Sequence, residues 1–381
     1  MSNAVRAVVL GAGYAGQGHT QALRYAGADV VGLASRTEAV GRKVAAELGI
    51  ARYGSDWRQL LDELRPDVVA IGTPGGTHRE MVGNALERGC HVFADKPLAT
   101  TAADSRTLYE LAARQRVKTA YAASFCYQPQ ALFVRDLIRA GTIGEVYEVE
   151  CLSHFHWPPL MPFGWPHRLD QGGGRLNNNF PHKLAIVQRI LGGELLACMG
   201  ESRNDLKRVP IAGAVHDFRD FAKQALTPDQ AAQLEWAAVD SDWSYTALVR
   251  IGDPARGLND AVSATFRHSA LRAALAGDSI AFYGEKGTLH VEGCYMQGAV
   301  LLKAGGPTWE ELAVPLDIID ALPPDSDNTQ RNWNQLAREF IADIEGRAHE
   351  PYLTFRDGWL YQAVIDAVRS NCCWQPLPAA E

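Results

Sequence analysis

The sequence predicts an α/β fold: an N-terminal domain of alternating strands and helices, then a C-terminal α+β domain built on an open, mostly antiparallel sheet. Three observations predict it. Short continuous apolar runs alternate with helical patterns through the first third, as in a parallel sheet buried on both faces. A glycine-rich turn joins the first such run to the first helical pattern. The second half carries extended, alternating runs joined by turns such as Gly284-Glu285-Lys286-Gly287. A chain of 381 residues is too long for one ordinary core, and the expected domains are 1–124 and 125–381.

The elements follow in order. Val5 to Leu10 reads as a strand, Tyr14 to Tyr25 as a helix, and Val30 to Ala34 as a second strand. A helix through Val40, Val44 and Leu48 follows, then a short one capped by Asp56 and ending near Leu64. Asp67 to Gly72, His91 to Ala94 and Val117 to Ala122 are further strands, separated by helices over Arg79 to Arg88 and Ala103 to Arg114. Beyond them, Val146 to Ser153, Thr246 to Ile251, Val262 to His268, Ser279 to Tyr283 and Thr288 to Val291 are extended. Phe218 to Ala238 reads as a polar helical insertion. The last helices, about Asn332 to Ile344 and Trp359 to Ser370, are expected to pack back onto the core.

A hydrophobic fraction of 47% and a charged fraction of 21% belong to a globular chain. A net charge of −7 gives no general attraction to nucleic acid or anionic lipid. Neither a secretory leader pattern nor a run of about 18 apolar residues is visible. The seven cysteines form no C-x-x-C pair, and adjacent Cys372 and Cys373 are poorly placed to bridge one another. Reduced thiols in a cytoplasmic protein are the expectation.

Chemistry enters at Gly11-Ala12-Gly13-Tyr14-Ala15-Gly16, a G-x-G-x-x-G turn placed after a strand and before a helix. Gly11 permits the tight turn, Gly13 lets a pyrophosphate approach the backbone, and Gly16 lets helix and strand pack closely. Tyr14 and Ala15 lie in the same anion-binding helix start. The turn makes this a Rossmann dinucleotide-binding domain. At the end of the second strand, Ser35-Arg36 stands where an acidic residue would select NAD. A hydroxyl and a guanidinium suit a 2′-phosphate, so NADP is favoured and NAD is the alternative. The bland reading has Ser35 as a helix cap and Arg36 solvated.

Thr73-Pro74-Gly75-Gly76-Thr77-His78 and Asp95-Lys96-Pro97 follow two other strands, where a nicotinamide would lie. Thr73, Pro74, His78, Asp95 and Lys96 therefore join the cofactor candidates. A lysine directly after an apolar strand is open to desolvation, which moves its pKa toward useful acid–base values. A plain ion pair with Asp95 is the competing reading.

These motifs together resemble the Gfo/Idh/MocA family of sugar and cyclitol oxidoreductases. Gly172-Gly173-Gly174 leading to Asn178 and His182, the turn Gly284 to Thr288, and the stretch from Asp357-Gly358 to Ser370 extend the resemblance over nearly the whole chain. The family usually has Glu at the position of Asp95, Asp at that of Asn178, and Asp at that of Ala185. The resemblance implies that Lys96 and His182 flank the carbon that exchanges hydride with the nicotinamide. An amide cannot exchange a proton, so acid–base work falls on His182, with Lys96 assisting and Asn178 orienting.

The segment His154-Phe155-His156-Trp157 through Trp165-Pro166-His167-Arg168 is rich in ligand-binding side chains. Trp157, Trp165, His167 and Arg168 are substrate candidates, with Tyr127, Asn178 and His182 beside them. His-x-His lacks a third ligand nearby, so no metal is expected. The leading expectation is an NAD(P)-dependent oxidoreductase acting on a sugar, glycoside or cyclitol hydroxyl, in a homo-oligomer (dimer or tetramer). A glycosidase of the same fold, using transient oxidation, elimination and re-reduction, is the alternative. A catalytically silent dinucleotide-binding sensor is the reading from another class.

Overall fold

The computed structural model describes residues 4–215, 219–272, 277–370 and 375–377. The start of the expected insertion at Phe218, and Cys372 and Cys373, lie outside the described residues. The first domain runs β1 (Arg6–Leu10), α1 (Tyr14–Tyr25), β2 (Asp29–Ala34), α2 (Glu38–Glu47), β3 (Arg52–Gly54), α3 (Trp57–Leu64), β4 (Val68–Ile71), α4 (His78–Glu87), β5 (His91–Ala94), α5 (Ala102–Gln115) and β6 (Thr119–Tyr121). Its six strands form one parallel sheet in the order β3-β2-β1-β4-β5-β6. Helices on both faces bury the central strands. Val8, Val9, Val69, Ala70 and Phe93 have no exposed surface, which is why their runs show no polar alternation. Strand β3 had no such run because its residues are exposed or half-buried. Asp56 does cap α3, accepting the N–H groups of Arg58 and Gln59 at 3.0 and 3.1 Å.

The strand order reverses between β1 and β4, and at such a switch point the carboxyl ends of the strands open a crevice. The glycine turn after β1 and the Thr73-Pro74 loop after β4 meet there.

The second domain begins with α6 (Pro129–Arg139) and β7 (Val146–His154), continues through α7 (Arg175–Asn178) and α8 (Phe180–Leu191), and then reaches β8 (Glu194–Arg203). The segment read as a helical insertion is instead mixed. It holds α9 (Asp220–Lys223), α10 (Pro228–Ala232) and β10 (Trp236–Ala238), and β10 pairs with β9 (Arg208–Pro210). A capping box between Thr227 and Gln230 starts α10, and the chain turns extended again at Trp236. The remaining strands are β11 (Ser244–Gly252), β12 (Val262–Ser269), β13 (Gly277–Gly284), β14 (Gly287–Glu292), β15 (Val300–Ala304), β16 (Glu310–Leu312) and β17 (Gln375–Pro376).

Nine strands form an open sheet in the order β16-β15-β14-β13-β7-β12-β11-β8-β17, antiparallel except between β7 and β12. Alternation is clear along it: Val149, Cys151, Tyr245, Val249, Ala264 and Phe266 are buried, while Tyr147 and Tyr283 face outward. Three late helices complete the chain, α11 (Leu316–Ala321), α12 (Asn328–Ile344) and α13 (Phe355–Arg369). Helix α12 returns to the first domain, where Trp333 packs on α1 at Gly18; a Cβ there would lie 2.1 Å from the indole. Helix α13 returns to α5, with Tyr109 stacked on Trp359. Among the described residues, no helix is long and apolar enough to cross a membrane.

Candidate active site

A single cleft of about 1020 Å³ runs from the glycine turn to the α7–α8 junction. Backbone crowding dictates the glycines at its first end. Gly11 has φ +116°, and a Cβ on it would lie 2.6 Å from the Gly72 carbonyl oxygen. A Cβ on Gly16 would lie 1.9 Å from the Gly11 oxygen, so Gly16 is a packing residue behind the turn rather than part of the lining. Gly13 caps α1 without a side-chain hydrogen bond, and the first turn carries no acidic residue. The helix start therefore presents free N–H groups and partial positive charge to the cleft. Gly11, Gly13, Tyr14 and Ala15 all line it. This donor set fits a dinucleotide pyrophosphate.

Ser35 and Arg36 line the same cleft at the end of β2. Thr37, not Ser35, is the N-cap of α2; the Ser35 hydroxyl donates to the Thr37 carbonyl at 3.2 Å. Arg36 is exposed and forms no ion pair among the described residues, whereas Arg42 is held by Glu38. Val40, Ser55 and Trp57 complete this wall and went unnoticed in the sequence.

At the far end stand Thr73, Pro74, Asp95, Lys96, Asn178 and His182. The Asp95 carboxylate accepts the Lys96 backbone N–H at 2.8 Å, while the Lys96 ammonium donates to Asn178 Oδ1 at 3.2 Å. The lysine is thus not simply an ion-pair partner of Asp95. Burial pushes Lys96 below the ordinary lysine pKa; the Asp95 charge opposes the shift and the Arg175 charge adds to it. Asn178 Nδ2 donates to the carbonyls of Gly174 at 2.7 Å and Gly172 at 3.4 Å, which fixes the amide's orientation. Asn178 and His182 do not share one helix, because the chain breaks at Asn179 between α7 and α8. The break still leaves both on the cleft.

His182 lies edge-on to Phe125 and Tyr295, with ring centroids 4.7 and 5.4 Å away. Its Nδ1 is buried without a hydrogen-bond partner. Burial, then the charges of Lys96, Lys183 and Arg175, hold its pKa well below the ordinary histidine value. It is a neutral imidazole at physiological pH. Two further cations stand beside it that sequence reasoning passed over. Lys183, fully buried, pairs with Asp278, and Arg175 is buried in the cleft wall.

Several expected site residues lie elsewhere. His78 is wholly buried off the cleft, its ring nitrogens 2.7 and 2.8 Å from the carbonyl oxygens of Pro97 and Thr73. It ties the two loops together rather than touching a ligand. Tyr127 is buried with Arg189 over its ring, because the turn Ser124–Tyr127 presents Phe125 to the cleft instead. His167 turns inward, accepts the Gly164 N–H at 3.1 Å and stacks on Trp243; burial lowers its pKa to about 4. Arg168 is turned outward and paired with Asp170. Trp157 and Trp165 do line the cleft. Among the described residues, no three His, Cys, Asp or Glu side chains converge as a metal site.

Comparison with known proteins places this architecture. Residues 5–123 match the oxidoreductase family with an NAD-binding Rossmann fold, and residues 132–290 match the GFO/IDH/MocA C-terminal domain. The chain belongs to the Gfo/Idh/MocA oxidoreductase family. Within that family it is 32% identical over 189 residues to dTDP-3,4-didehydro-2,6-dideoxy-alpha-D-glucose 3-reductase of Saccharopolyspora spinosa, covering 49% of this chain and 56% of the reductase. It is 27% identical over 205 residues to scyllo-inositol 2-dehydrogenase (NAD(+)) of Bacillus subtilis, covering 53% and 58%. The chain thus spans little more than half the length of these relatives. Levoglucosan dehydrogenase in complex with NADH and levoglucosan superposes with a TM-score of 0.81 at 18% identity, over 99% of this chain and 100% of that one. An oxidoreductase domain protein from Kribbella flavida gives 0.81 at 23% identity, over the full length of both. These structures share the fold of this Gfo/Idh/MocA chain.

Proposed function

We propose that the protein oxidises or reduces a hydroxyl-bearing carbon of a carbohydrate or cyclitol, with NADP favoured over NAD. The observation that carries this is the continuity of one cleft from an anion-binding helix start to Lys96, Asn178 and His182. The names of the curated relatives supply the substrate class. A dinucleotide bound along the cleft supplies the hydride acceptor or donor. His182, neutral by burial, takes the substrate hydroxyl proton in oxidation and returns it in reduction. Lys96, steered by Asn178 Oδ1, holds positive charge beside the same oxygen and stabilises negative charge developing there. Free Arg36 beside Ser35 supports the 2′-phosphate preference.

The test is a panel of sugars and cyclitols followed by nicotinamide absorbance with each dinucleotide, in the parent, Lys96→Met and His182→Ala. A loss of roughly a hundredfold or more in both variants, with cofactor still bound, is expected. Near-full turnover in His182→Ala refutes the assignment, and glycoside cleavage without net cofactor reduction would replace it with the glycosidase alternative.

A further inference from the structure

We infer that the substrate carries a carboxylate and that Arg175 receives it. The inference rests on the oxidoreductase reading above and narrows its substrate to acidic sugars such as uronates or aldonates.

Arg175 opens α7 and is only 7% exposed, yet it lines the cleft. Its guanidinium carbon sits 5.6 and 5.5 Å from the ring centroids of Phe155 and Trp157, which also line the cleft. Its Nε donates to His268 Nε2 at 3.1 Å, and His268 Nδ1 lies 3.2 Å from the Ser153 hydroxyl. These contacts fix the plane of the guanidinium. Its remaining N–H groups have no hydrogen-bond partner among the described residues.

No carboxylate among the described residues pairs with it either. Asp242, whose charge does reach Arg175, is already committed: Oδ2 accepts the Leu176 N–H at 2.7 Å and Oδ1 accepts from Arg369 at 2.9 Å. Asp278 is committed to Lys183. A buried guanidinium without a counter-charge is unfavourable. Two aromatic faces recover part of that cost but leave the planar N–H fork unused. A carboxylate matches such a fork bidentately.

Position and charge narrow the ligand further. Asn178 lies three residues on from Arg175, so an acid held by Arg175 sits within one helical turn of the group that steers Lys96. Among the described residues, Arg175 is the cation at this corner whose planar N–H fork is unused, which suits one carboxylate. A phosphate dianion would also need Lys96, which Asn178 holds, or Lys183, which Asp278 holds.

The test compares matched pairs on the holoenzyme: D-glucuronate with D-glucose, D-galacturonate with D-galactose, and D-gluconate with D-glucitol. Turnover is followed by nicotinamide absorbance, and binding by the rise in unfolding temperature. At least one acid should exceed its neutral partner by about 30-fold or more in kcat/KM. Arg175→Met should remove that advantage in both KM and kcat, with affinity for the reduced dinucleotide unchanged by fluorescence titration. Arg175→Lys, which keeps the charge but not the fork, should recover only part of it. Should Arg175→Met fail to fold, the acid-to-neutral ratio of the parent and of Arg175→Lys decides. Neutral sugars used as well as or better than every acid, or a sugar phosphate preferred to both, overturns the inference and leaves the oxidoreductase reading standing. Acids that raise the unfolding temperature without being oxidised support the carboxylate site and sink the oxidoreductase reading. Acids that are neither oxidised nor stabilising overturn the inference.

Discussion

Lys183→Met tests the buried ion pair beside His182. The Lys183 side chain is fully buried and that of Asp278 is 5% exposed, so the substitution leaves a carboxylate in the interior without its cation. What remains around Asp278 is the Ser153 hydroxyl at 3.4 Å and the backbone N–H of Tyr295. They offer hydrogen bonds but no charge. Breaking such a pair costs about 3–5 kcal/mol. Burial already raises the Asp278 pKa and Lys183 opposes it, so removing the lysine raises it further. A carboxyl whose folded pKa is raised contributes stability at low pH and loses it as pH rises through that value. The variant's deficit should therefore be larger at pH 8 than at pH 5. Lys183→Met with Asp278→Leu removes both charges and should return most of the loss. The assay is urea unfolding followed by tryptophan fluorescence at both pH values. A cost below about 1 kcal/mol at pH 8, or a double variant as damaged as the single one, would refute the argument.

Three further outcomes follow from the same geometry. Ser35→Asp places a carboxylate where a 2′-phosphate would lie and should shift the Kd ratio toward NAD by roughly tenfold or more, about 1.4 kcal/mol; dinucleotide titration checks it, and an unchanged ratio refutes it. Asn178→Asp removes the amide donors that are spent on Gly174 and Gly172. It should cost about 1–3 kcal/mol in chemical unfolding, and no cost would show those donors to be idle. Burial depresses His19 and His167 to about 4, so the unfolded chain binds protons more readily below pH 6.5. Each should withdraw about 1–2 kcal/mol of stability by pH 5, visible as a falling urea midpoint between pH 7 and 5.

The first domain was legible because its physics is local. Strands buried on both faces leave unbroken apolar runs, and the glycine turn must be glycine wherever backbone oxygens crowd its Cβ positions. Part of the site was legible because it closely follows a strand, as Lys96 does, while Asn178 and His182 were reached through the motif resemblance. Tyr127 and His167 were misplaced because chain position does not say which way a short turn aims its side chains. In both turns another aromatic, Phe125 or Trp165, took the cleft. Arg168 was misread because Asp170, two residues on, already answers its charge. Lys183 left a usable trace: α8 is apolar nearly all round, and a lone lysine in such a helix needs a buried partner. Arg175 left none, since burial of a guanidinium after three glycines depends on Phe155, just past β7, and on His268 in the distant β12.

The charges around His182 tie these observations together. Lys96, Lys183 and Arg175 all disfavour its imidazolium. Lys183 is answered by Asp278, and in the proposed reaction Lys96 keeps its charge to stabilise an oxyanion. Arg175 is the one whose counter-charge can arrive with the substrate. A carboxylate on Arg175 would lower the positive potential at His182 and raise its basicity at the moment a hydroxyl stands ready to lose a proton. A neutral sugar filling the same cleft would leave the imidazole a poorer base. Anchoring and basicity would then be coupled through one guanidinium, so discrimination against neutral sugars would appear in the chemical step as well as in binding.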